Sequence, residues 1–151
     1  MTKRYRPFVT VACIIHCNQH FLIVEEMIDG HIRFNQPAGH LEAHESLLDA
    51  CIREVKEETG LDVNPKTLTG IQQYSASHEL AFLRFTYAVE LNEMIKPSPQ
   101  DPQIIAAHWM TLKQIIAIKD KLRSSLVIDA INDFNQQKGV SVDIVDYQHL
   151  I

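Results

Sequence analysis

A chain of 151 residues, 46% hydrophobic and 22% charged, has the make-up of one globular domain over residues 1–151, which excludes the disordered and fibrous classes. The net charge of −5, with no basic cluster beyond Lys3, Arg4 and Arg6, speaks against a nucleic-acid partner bound through many phosphates. The apolar runs fall short of the roughly 20 residues of a membrane span, and no leader-like apolar core follows the first residues, so a cytoplasmic protein without a membrane partner is expected.

Phe8–Ile15 and Phe21–Val24 are rich in Val, Ile and Phe and read as two strands joined by a turn in His16–His20. Cys13, Cys17 and Cys51 are an odd, sparse set and read as reduced thiols. Strand alternation sends His16 to the face opposite Cys13 and Cys17, which disfavours a zinc site there. After the turn dipeptide Asp29-Gly30, Ile32–Phe34 reads as a short strand, and Pro37-Ala38-Gly39 breaks the regularity. The next helix is the clearest element. Ser46 with Asp49 resembles a capping box, Leu48, Cys51, Ile52 and Val55 form an apolar stripe, and Gly60 supplies the left-handed stop.

Leu68–Tyr74 and Leu80–Leu91 read as strands, and the prolines of Lys96–Pro102 mark a loop. A last strand at His108–Met110 precedes helical patterns at Leu112–Ile118 and Leu122–Phe134, separated by the polar Lys119–Lys121. Strands dominate the first two thirds and helices the last. The expected class is therefore α+β, an α/β/α sandwich with a mixed sheet flanked by helices.

Glu54, Glu57 and Glu58 stand at i, i+3 and i+4, so on a helix they fall within about a 100° arc, apart from the apolar stripe. Their repulsion, near a helix end that is already negative, costs a few tenths of a kcal/mol per pair. Such a violation is relieved either by Arg53 and Lys56 on a solvated face or by a divalent cation, and an acidic protein that handles phosphates needs the cation. The wider pattern decides between them. Gly39-x5-Glu45-x7-Arg53-Glu54-Val55-x-Glu57-Glu58-x-Gly60-Leu61 resembles, position by position, the signature of the Nudix hydrolases.

That resemblance implies a loop–helix–loop whose Gly39, Glu54, Glu57 and Glu58 make the metal site for Mg²⁺, with Mn²⁺ an alternative, against a substrate diphosphate. It implies a catalytic set of Arg53, Glu54, Glu57 and Glu58, in which Arg53 pairs with Glu45 to orient the motif. His40 and His44 flank it as incidental polar positions. The stretches VTVACIIH, FLIVEE, FNQPAGHLEAHESL, FLRFTYAVEL and LRSSLV are similar to a bacterial phosphatase branch of the family, over about Pro7 to Ile131. Members of that branch release orthophosphate from nucleoside tri- and diphosphates and from the hydroxymethylpyrimidine pyrophosphate of thiamine synthesis, so that class is the expected small-molecule partner.

Four further residues are substrate-binding candidates. Arg84, in an apolar strand, either grips phosphate or faces solvent; Arg123, in Leu-Arg-Ser, is a second phosphate contact suggested by the resemblance. Phe34 and Tyr74 are stacking candidates for a base, against the alternative of core or rim packing. Gln103 stands where the branch carries an acid, leaving Asp101 as a substitute base or outer ligand. A nucleoside-triphosphate pyrophosphohydrolase that releases pyrophosphate, and a non-catalytic nucleotide sensor, are the rival readings, and the chain is expected as a monomer or homodimer.

Overall fold

The computed structural model describes residues 2–151. In chain order the strands and helices are β1 (Phe8–Cys17), β2 (His20–Ile28), β3 (His31–Asn35), β4 (Ala38–His40), α1 (Leu47–Thr59), β5 (Thr67–Ser75), β6 (Ala81–Glu90), β7 (Ile104–Thr111), α2 (Leu112–Ala117), α3 (Leu126–Asn135) and β8 (Val140–Ser141). Two tight hairpins open the chain. Asn18-Gln19 and Asp29-Gly30 all carry positive φ, the backbone twist that two-residue hairpins demand.

One mixed sheet results, in the order β3-β2-β1-β6-β5-β8, with β4 added to β1 and β7 to β2. Only β1 and β6 run parallel; the other pairings are antiparallel. β1 and β2 pair only at His16↔Phe21 and Cys17↔His20. Beyond that point β1 takes β4 as its neighbour while β2 takes β3, so the two arms of the hairpin part.

Alternation along β1 feeds two cores. Val11, Cys13 and Ile15 point to α1, where Cys51 and Val55 meet them, whereas Ile14 points to α3 and joins Ala88, Val127 and Ile131. Helices thus cover both faces, as expected for the class. All of these side chains are buried, and each large aliphatic among them contributes about 1.5–3 kcal/mol relative to exposure. His16 lies on the face away from Cys13, wedged between the rings of Phe21 and Phe134. α1 begins and ends where the sequence places it: Ser46 Oγ accepts from the Asp49 amide at 3.0 Å, and Gly60 closes the helix at φ +76°.

Other boundaries differ. Ala38–His40 forms a strand despite Pro37 and Gly39, because β1 supplies the ladder partner. β7 runs for eight residues rather than three, held along β2. α3 starts at Leu126 instead of Leu122: Leu122 is buried in a parallel bridge to Phe34, and Lys119–Lys121 is a 3₁₀ turn. β8 and a 3₁₀ turn at Val142–Ile144 had no sequence signal.

Candidate active site

Residues that face each other across strands share a face, and following the α3 face outward locates the site. Its inner rows, Ile14 with Ala88, belong to the apolar core. Two rows out, Thr10 lies opposite Arg84, with His40 and Gln72 continuing the row; one row further out come Phe8, Phe82 and Tyr74. These outer rows floor a cavity of about 650 Å³ where the β1 and β2 arms part, with Thr10 and β4 on one side and Glu26 and Asn35 on the other.

One wall is acidic. Glu54 and Glu58 of α1 line it together with Glu26 and Asp101. Glu58 is 5% exposed, and its Oε1 accepts from the Ala38 amide at 2.7 Å. Burial pushes its carboxyl up to about 9 against that hydrogen bond, and the charges of Glu54, Glu26 and Asp101 push the same way. Burial also raises Glu54, opposed by Arg53. A Cβ at Gly39 would collide with the Glu54 carboxylate, so a side chain there would displace Glu54 from its place on the wall.

Arg53 holds the motif in place. Its Nε and Nη2 donate to the two Glu45 oxygens at 2.9 and 2.7 Å, Nη2 also donates to the His40 carbonyl at 3.1 Å, and Nη1 donates to Glu54 at 2.8 Å and Glu57 at 3.4 Å. The guanidinium holds the Glu45 carboxyl below its usual range, and those acids in turn raise Arg53. Glu57 therefore faces Arg53 and is not among the residues lining the cavity. Its backbone serves the site: the Glu57 carbonyl accepts from both the Gln100 and Asp101 amides at 2.8 Å, and Ser98 donates to Thr59 O at 2.7 Å. These bonds satisfy the free carbonyls of the helix end and deliver Asp101 to the cavity, next to Gln103.

Arg84 lines the cavity from β6 and is 4% exposed, which rules out the solvent-facing alternative. Its Nη2 donates to Gln36 Oε1 at 2.6 Å, while its buried Nε has no partner. Desolvation lowers Arg84 to about 10, so it stays a cation at neutral pH. Asn35 Oδ1 is likewise buried without a partner on the cavity wall. Arg123 also lines the cavity, with its Nη1 donating to Glu26 at 3.0 Å.

Tyr74 lines the cavity stacked on Phe82, with centroids 5.0 Å apart at 14°. Phe34 does not line it: its ring packs against the α3-side core, so this stacking candidate is corrected to a packing residue. The sequence reading missed Glu26, Asn35, Gln36 and Phe82. A signal for Glu26 existed, since consecutive acids Glu25-Glu26 on a strand must face opposite ways, and here Glu25 approaches His108 while Glu26 enters the cavity.

Among the described residues no three acidic, His or Cys side chains converge into a ready metal cage. The donor set nevertheless fits a hard divalent cation. Mg²⁺ is held by one or two carboxylates, water and substrate phosphate, and half-buried Glu54 and buried Glu58 offer carboxylates whose mutual repulsion a cation would relieve.

The comparisons agree with this geometry. The NUDIX domain model matches residues 6–130. Phosphatase NudJ of Escherichia coli K12 is 38% identical over 141 residues, covering 93% of this chain and 92% of that protein. A NUDIX hydrolase from Nitrosomonas europaea superposes with a TM-score of 0.87 at 40% identity, over 94% of this chain and 97% of the other. The NUDIX domain of Shewanella oneidensis NrtR, solved with ADP ribose, shares the fold at a TM-score of 0.74 and 13% identity, over 89% and 90% of the two chains.

Proposed function

The chain belongs to the NUDIX family as a hydrolase similar to phosphatase NudJ, and on that premise we propose that it removes orthophosphate from nucleoside tri- and diphosphates and from hydroxymethylpyrimidine pyrophosphate. One observation carries the reading. A single cavity holds a buried cation without a carboxylate partner, Arg84, together with an acidic wall of buried Glu58 and half-buried Glu54. A phosphoanhydride with its cation complements both.

In this reading residues 1–151 act as one catalytic unit in the cytoplasm. Glu54, Glu57 and Glu58 are the residues that would hold Mg²⁺ or Mn²⁺, with Glu57 turning from Arg53 to join them. When bound, the cation would neutralise phosphate charge and lower the pKa of a coordinated water. Arg84 and Arg123 hold the terminal phosphate, Arg123 exchanging its Glu26 partner for the ligand, and so orient the outermost phosphorus. Glu54 or Asp101 takes the proton from the attacking water. Tyr74, with Phe82, offers its ring edge or face to the heterocycle.

The test is hydrolysis in ¹⁸O-water with a nucleotide panel and hydroxymethylpyrimidine pyrophosphate, with Mg²⁺ and with chelator. Label in orthophosphate beside an unlabelled nucleotide is expected, and turnover stops on chelation. Pyrophosphate as the first product from a triphosphate would move the attack inward and defeat the phosphatase reading; tight nucleotide binding without any turnover would make the chain a sensor.

A further inference from the structure

Gln36 is buried to 1% exposure, between the two residues it binds. Its Oε1 accepts from Arg84 Nη2 at 2.6 Å, and its Nε2 donates to the Val127 carbonyl in the first turn of α3 at 2.7 Å. One amide thus ties the β6 guanidinium to the helix that caps the same face of the sheet.

The choice of an amide is informative. Among the described residues no carboxylate pairs with Arg84, although its Nε is buried and unpartnered. A buried charge without a counter-ion opposes folding. Glutamate at position 36 has nearly the same shape and would pair with the guanidinium through charge-assisted hydrogen bonds, at the loss of the amide donor to Val127. It would also cancel the charge that the cavity presents.

We propose that Gln36 is a positioning residue that fixes Arg84 without neutralising it, so that the cation stays available to a phosphate group in the cavity. The inference rests on the reading that Arg84 grips phosphate. The amide dipole restrains Nη2 through one bond and carries no net charge. Nε, buried and without a protein acceptor, leaves the guanidinium short of partners and adds no counter-charge.

Binding of imidodiphosphate at saturating Mg²⁺, measured by calorimetry, tests this, alongside unfolding midpoints of the ligand-free proteins. Gln36→Glu should weaken binding at least about tenfold, because a new buried ion pair competes with the ligand, while that pair offsets part of the stability lost with the Val127 hydrogen bond. Gln36→Met removes the acceptor without adding charge and should weaken binding by a smaller factor of about three. Arg84→Met is the control for the underlying reading. Parental affinity in Arg84→Met would overturn the phosphate role of Arg84 itself. Weakened binding in Arg84→Met beside parental affinity in Gln36→Glu would overturn the inference alone. Weakening no greater in Gln36→Glu than in Gln36→Met would reduce Gln36 to a structural part and also overturn it. If Gln36→Glu does not fold, parental affinity in Gln36→Met does the same.

Discussion

The surroundings of Arg53 and of Arg84 are opposites. Arg53, with its side chain 23% exposed, meets three acids within 3.4 Å and a backbone carbonyl besides. Arg84, deeper in the protein, meets one neutral amide. A guanidinium surrounded by carboxylates has its charge matched inside the protein and serves to fix geometry. One that is buried among neutral groups keeps a field that only something from outside can match. Burial alone does not separate the two arginines; the presence or absence of an internal anion does.

Four expected outcomes sharpen or break that contrast. Arg84→Met should lower kcat/KM by about 10²–10³-fold, the range seen when one preorganised donor to transition-state charge is lost. The unfolding midpoint should move little, and steady-state kinetics beside a melting curve would show a structural arginine by the reverse pattern. Glu57→Gln should lower kcat by about a hundredfold with little change in stability. Near-normal turnover would leave Glu57 as a partner of Arg53 only, where the structure shows it.

Arg53→Met should act mainly on the fold, costing about 2 kcal/mol, because Glu45 and Glu54 then lose their shared cation in a partly buried setting. Urea unfolding measures this, and an unaltered midpoint would make the Arg53 network a decoration. The smallest effect belongs to pH. Glu58 has a folded-state pKa of about 9, above its ordinary 4.5, so the stability tied to its neutral form is complete below about 4.5 and is lost as pH rises through about 9. In chelator the protein should lose stability across that window, and Glu58→Gln should flatten the slope. An unchanged slope in the variant would place the titration elsewhere.

The sequence made some of this legible and hid the rest for physical reasons. α1 was readable because its signals are local: a Ser cap, a 3.6-residue stripe and a left-handed glycine. The carboxylate motif lay on it, so its spacing translated directly into a face. β4 was hidden because its three residues owe their strand conformation to β1 and contain no pattern of their own. The start of α3 was misplaced because Leu122 is as apolar as a helix residue but is claimed by Phe34. The same tertiary claim withdrew Phe34 from the site. Whether Arg84 faced water or the cavity was undecidable from the strand alone, since either face of β6 carries apolar neighbours. The roles of Glu26 and Gln36 arise from residues far apart in the chain and exist only once β2, β6 and α3 have met.

The carbonyls at the end of α1 have a consequence for dynamics. Because Ser98, Gln100 and Asp101 donate their amides to Thr59 and Glu57, the proline-bearing loop is held by the helix terminus. The first α1 residues can fray at their own rate, but these three loop amides cannot exchange with solvent unless the last turn of α1 releases them. In heavy water they should exchange as one group, with protection closer to that of the helix end than to that of an exposed loop, so that opening which bares Glu58 also carries Asp101 away.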